Sequence, residues 1–216
     1  LEEAEYALPE ISNRLGVPAP KTRVNIFFIS DEAAWSKIVR ERGARPDGLA
    51  MIVGREIFLR HDPEQAARPD RLAHELTHFV LHQNFGEKIP LWLDEGLALR
   101  IGSAVSRAYR ATRGRRIEGV WPALEWPPEE SLESLTSRAS VPDDPETARL
   151  FYRASEEMVA WIDQRLSSAQ MREFIAAVAR GDPWQVVLSN SLKETRFSLS
   201  ELAEDIRRAA EAPKKR

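Results

Sequence analysis

Two histidines four positions apart, His74 and His78, enclose Glu75 in the run His74-Glu75-Leu76-Thr77-His78. On a helix, positions i and i+4 share a face, so both imidazoles reach one cation. Glu75 is rotated from His74 by ~100°, which sets its carboxylate beside such a cation rather than on it. A carboxylate placed there takes a proton from water that the cation has acidified. Around this core, Leu72, Leu76, Phe79 and Val80 form an apolar stripe, and His74, His78 and His82 form a second one. Incidental histidines on a core or surface helix are the alternative, and the separately organised polar stripe weighs against it.

A catalytic zinc site takes a third protein donor and keeps a fourth position open. One arrangement places a third His six residues after the second, with a Gly between, but those positions hold Asn84 and Leu81. The other solution is a carboxylate from the next helix. Glu95 stands in Leu91-Trp92-Leu93-Asp94-Glu95-Gly96-Leu97-Ala98, beyond a joint containing Gly86 and Pro90. His78 lies ~10 Å before that joint and Glu95 ~8 Å after it, so an antiparallel helix pair brings them to similar depth. Without a metal, Glu95 reads as a solvated helix-start carboxylate favoured by the dipole. His82, ~12 Å along the axis from His74, cannot join both other histidines on one ion and reads as a supporting or surface residue. Asp94, beside Glu95, is a candidate to orient a ligand histidine.

His74-Glu-Leu-Thr-His78 followed by Pro90-Leu-Trp-Leu-Asp-Glu-Gly-Leu-Ala98 resembles the gluzincin zinc metallopeptidases, above all the peptidase-MA-like domains. It is also similar to the zinc aminopeptidases, with their Trp-Leu-Asn-Glu-Gly-Phe-Ala stretch. The resemblance implies one zinc ion held by His74, His78 and Glu95, with Glu75 as general base. It extends to Phe151-Tyr152-Arg153-Ala154-Ser155, where Tyr152 matches a tyrosine that opens a helix and steadies the oxyanion. Packing is the alternative for Tyr152, and Tyr109 is its rival. Gly48-Leu49-Ala50-Met51, leading into a strand to Arg60, matches the family's substrate-binding edge strand, whose backbone pairs with an extended peptide. An ordinary hairpin is the alternative there. The aminopeptidases carry a Glu directly after this motif; here Ile52 and Val53 follow, which points to an endopeptidase acting on peptide or protein substrates. From another class, a non-catalytic zinc domain serving as a partner-binding or sensory module would keep the same ligands, although it has no use for Glu75.

The elements that must position these residues read as α+β, a small N-terminal sheet and then a mainly helical body; the resemblance implies a zincin-like arrangement, with a mixed sheet whose edge strand lies over the active-site helix. Residues 1–15 have helical periodicity with Pro9 weakening the middle, and Thr22–Ile29 reads as a buried strand. A helix follows from Ser30 to about Gly43, then two short strands flank Gly54. Helices are expected over about 69–84, 91–110, 144–166, 168–180, 183–191 and 199–211. The Pro- and Trp-containing segment 114–143 reads as a connector or a cover over the cleft. The 216 residues are expected to form one domain, an α/β lobe to about residue 85 and a helical lobe beyond.

Composition narrows the function classes. With 43% hydrophobic and 30% charged residues the chain is an ordinary globular protein. Its net charge of −3 and scattered arginines provide no basic field for nucleic acid. No run approaches the ~18 apolar residues that span a bilayer. The absence of cysteine excludes Cys-ligated zinc, a disulfide scaffold and a thiol nucleophile. The chain opens on Leu1 rather than Met, the expectation for a trimmed or processed form, and an extracytoplasmic or anchored bacterial protein is compatible with that. The closing Ala212-Pro213-Lys214-Lys215-Arg216 reads as a solvated tail or the start of a juxtamembrane basic cluster.

Overall fold

Helix α3 (Arg71–Phe85) is the element on which the others converge. The computed structural model describes residues 2–42, 50–60, 70–114, 120–121, 131–192, 198–211 and 214–215. Along α3 the buried positions include Leu72, Ala73, Leu76, Phe79, Val80 and Leu81, and also Glu75, Thr77 and His78. The apolar stripe is therefore widened to most of the helix girth. Helices α1 (Glu2–Leu15) and α4 (Leu91–Thr112) cover two sides, and the strands β2 (Ala50–Val53) and β3 (Glu56–Arg60) cover a third. Helix α1 runs unbroken through Pro9. The ring removes a helical hydrogen bond, and burial of Ala4, Ala7, Ile11 and Leu15 against α3 and α4 offsets that cost.

The sheet is mixed, with strand order β1-β3-β2. Strand β1 (Asn25–Ile29) pairs parallel with β3, and β2 pairs antiparallel with it, so β1 and β2 are the two edges. One sheet face joins the main core through Ile57 and Leu59. The other packs Met51 and Phe58 under Trp35 and Val39 of α2 (Glu32–Arg42). The apolar run at 22–29 does not form a buried strand. Phe28 is 64% exposed, and Phe27 is 40% exposed although it stacks on Phe58 with centroids 5.1 Å apart. Strand order decides this, because the same apolar run suits a central or an edge position.

Beyond α4 the body is helical, and the α+β class holds. Asp144 caps α6 (Pro145–Asp163) by accepting from the Thr147 backbone N–H at 2.8 Å. Ser167 and Gln170 make a capping box for α7 (Ser168–Ala179). Helix α8 (Trp184–Leu192) sets Trp184 against Trp92, with centroids 5.3 Å apart, and α9 (Leu199–Glu211) packs on α6. The segment 114–143 contains the short helix α5 (Leu132–Thr136) and the strand β4 (Val120–Trp121). Within the closing segment, Lys214 and Lys215 form β5, antiparallel to β4. One hydrophobic core reaches from Ala4 to Ile206. Among the described residues no helix is long and apolar enough to cross a membrane.

Two glycines inside α4 set its spacing to its neighbours. A Cβ at Gly96 would overlap the Ser155 carbonyl of α6, and one at Gly102 would lie 2.8 Å from the His74 Cα of α3. Helix interiors disfavour Gly by about 1 kcal/mol relative to Ala, so close approach is what these positions require. At Gly96→Ala the propensity gain of about 1 kcal/mol opposes an overlap with backbone, which cannot rotate away and costs about 2–3 kcal/mol, the upper part of the range for overpacking. A net loss of about 1–2 kcal/mol is expected in urea denaturation of the metal-free protein. An unchanged or raised midpoint would show that α4 and α6 are not in this close contact.

Candidate metal centre

Helices α3 and α4 are antiparallel neighbours across the short link 86–90. Their contacts run in opposite order along the two chains. Ser103 donates to Asp70 Oδ2 at 3.0 Å, Gly102 faces the His74 backbone, and His82 Nε2 lies 2.9 Å from Asp94 Oδ2. This register brings the polar stripe of α3 level with the first turns of α4, whose dipole favours the carboxylates of Asp94 and Glu95.

Three donor atoms converge there. His74 Nε2 and His78 Nε2 are 3.1 Å apart, and Glu95 Oε2 lies 3.4 Å from the first and 3.7 Å from the second. A tetrahedral ion with bonds of about 2.0–2.1 Å needs donor–donor edges of about 3.3–3.4 Å, whereas octahedral geometry needs about 3 Å. The triangle straddles the tetrahedral figure. Glu95 Oε2 is also buried and accepts no hydrogen bond. An orphaned carboxylate oxygen inside a protein is costly, and a cation shared by the three atoms removes that cost. The residues fit a divalent cation. Among the described residues a second group, His78, His82 and Asp94, also has its ligand atoms close together.

The electrostatics follow from burial and pairing. His78 Nδ1 donates to Asp94 Oδ1 at 2.8 Å, which turns Nε2 toward His74 and Glu95. Burial alone would lower the pKa of His78, but Asp94 and then Glu95 outweigh it and hold it well above the ordinary 6.5. Burial pushes the Glu95 carboxyl up, yet contact with His74 and His78 brings it down to about 2. Asp94 likewise resists burial, held well below the usual carboxylate range by His78 and then His82. Glu75 shifts the other way. Burial raises its pKa, His74 and His78 oppose the rise, and Glu95 and Asp94 add to it.

The remaining expected residues are placed less closely. Tyr152 lies two turns into α6 rather than at its start, because Asp144 and Pro145 fix the helix origin upstream. It is half-buried against the core, one turn before the Ser155 carbonyl that meets Gly96. Tyr109 sits about 20 Å along α4 from Glu95, beside Tyr6 and Arg113. Ala50 opens the edge strand β2 and pairs with Leu59, while Gly48 and Leu49 lie outside the described residues. A cavity of about 640 Å³, lined by residues such as Arg14, Leu97, Arg100 and Met171, contains none of the three donors. Sequence reasoning did not single out Gly96 and Gly102 as spacers; two glycines inside one long helical pattern were the available signal.

Because a cation must displace a proton from His78, metal affinity should fall by about tenfold per pH unit below its raised pKa. Titrating metal-free protein between about pH 8 and about pH 6 checks this, and a flat profile would contradict the assignment of His78. Glu95→Ala should weaken binding more than about 100-fold, read by metal content after dialysis. Full occupancy in that variant would remove Glu95 from the donor set. The chain matches no family model and no curated protein, so the gluzincin resemblance rests on the motif residues themselves.

Proposed function

We propose that this chain is a zinc-dependent metallopeptidase of gluzincin type, with a zincin-like fold, that hydrolyses internal peptide bonds. The observation that carries the reading is Glu75, a buried carboxyl within electrostatic reach of three convergent donors. A structural metal site has no need for such a group. A zinc ion at His74, His78 and Glu95 would supply Lewis-acid polarisation of the scissile carbonyl and acidify a water molecule.

The chain's own residues do the rest. Glu75 takes one proton from the attacking water and returns it to the departing amine nitrogen, so water is added across the amide bond. The Tyr152 hydroxyl, as a neutral donor, shares the charge that develops on the carbonyl oxygen. Strand β2, an edge among the described residues and beginning at Ala50, pairs with the backbone of an extended substrate. Backbone pairing gives affinity with little dependence on side chains, which favours peptide over other amides.

Glu75→Gln keeps the side-chain volume and the three donors but cannot take up a proton. It should retain one zinc ion per chain and lose more than about 100-fold in turnover. The check is a mixed peptide library digested by wild type and variant, with cleavage sites read by mass spectrometry. Internal cuts by the wild type alone support the endopeptidase, and amino-terminal trimming alone would overturn that part. No cut from zinc-loaded wild type would replace the reading with a non-catalytic zinc-binding module.

A further inference from the structure

His82 stands one helical turn beyond His78 on the same face of α3, too far from His74 for both to share an ion. Its Nε2 lies 2.9 Å from Asp94 Oδ2, while the other oxygen of that carboxylate accepts from His78 Nδ1 at 2.8 Å. One carboxylate thus joins two imidazoles, one of which belongs to the donor triangle. The Asp94 side chain is 14% exposed and that of His82 is 27% exposed. The chain of contacts therefore leads from the solvent edge inward to the centre.

Two explanations fit three such groups. They could ligate a second ion, or they could form a hydrogen-bond chain that serves the first. The distances favour the chain, because each Asp94 oxygen meets one ring nitrogen at hydrogen-bond length. His78 also has only one ring nitrogen for each direction, and its Nε2 is committed to His74 and Glu95. Serving two ions would require an imidazolate.

We propose that His82 is a positioning residue for the metal centre. It donates its Nε2 hydrogen to Asp94 Oδ2 and so fixes the carboxylate that orients His78. A carboxylate held at one oxygen only can rotate about its terminal torsion, which is broad and two-fold. Held at both, it keeps the plane that His78 Nδ1 requires, and Nε2 stays aimed at the other donors. This rests on His74, His78 and Glu95 being metal donors, and it is independent of peptidase activity.

Cobalt(II) is the probe, because its visible spectrum reports coordination geometry. Wild type should take up one Co²⁺ per chain. His82→Ala should bind it about tenfold or more weakly, with an altered visible spectrum. His82→Gln, whose amide nitrogen replaces Nε2 as donor, should recover affinity to within about threefold of wild type. Thermal unfolding of the metal-free proteins separates this from a loss of fold. If His82→Ala is unfolded, His82→Leu keeps apolar bulk without a donor and makes the same comparison with His82→Gln. Wild-type affinity in the Ala or Leu variant would overturn the proposal. So would a Gln variant as weak as the non-donors, since that would mark a packing role. Two ions per chain, the second lost in His82→Ala, would make His82 a ligand instead. A wild type that takes up no Co²⁺ would overturn the metal centre itself, and this proposal with it.

Discussion

A side-chain carbon at position 102 would touch the backbone of His74, and the closeness of α3 and α4 at that point governs what the rest of the molecule can do. Imidazole and carboxylate side chains are short. Nitrogen donors from α3 and an oxygen donor from α4 meet at 3.4 and 3.7 Å only if the two helices pack closely. Gly96 repeats the device on the other flank of α4, where α6 closes in. Helix α4 is thereby sandwiched between α3 and α6 by two glycine contacts about 1.7 turns apart.

Packing this tight brings charge into a poorly solvated place. Glu75, Asp94 and Glu95 are three carboxyl groups within reach of His74, His78 and His82. Desolvation acts against ionisation at all three, yet only Glu75 ends with a raised pKa. The difference is pairing: Asp94 accepts from two imidazoles, and Glu95 Oε2 has two imidazole nitrogens within 3.7 Å, while Glu75 feels the imidazoles only through their charge and also feels the two other carboxylates. One cluster therefore contains two kinds of acid, set apart by geometry rather than residue type.

The sequence made the local part of this legible. His74 and His78 announce a shared face because helical periodicity is a property of neighbouring residues, and a short link makes Glu95 a neighbour of theirs. The β2–β3 hairpin around Gly54 and most helix limits are local in the same sense, as the caps at Asp144 and Ser167 illustrate. What was not legible is decided at long range. Phe28 lies at an exposed edge because β3 pairs with β2 on its other side, and nothing near Phe28 encodes that. Lys214–Lys215 pairs with Val120–Trp121 across more than 90 residues of chain, a pairing that composition does not encode. The role of Gly102 depends on a helix that precedes it by a full turnaround of the chain.

All the donors and their supports, from His74 to Glu95, fall inside one helical hairpin. Closing a loop of about 20 residues costs little chain entropy, and such loops close in well under a microsecond. The most demanding geometry in the molecule is therefore also among its most local in contact order. The slow, long-range pairings belong to the parallel β1–β3 ladder and the terminal β4–β5 ladder, and neither supplies a donor atom. On a rough energy landscape the centre is thus insulated from late errors: a chain whose distant strands have yet to pair can already hold its two histidines and its glutamate in register.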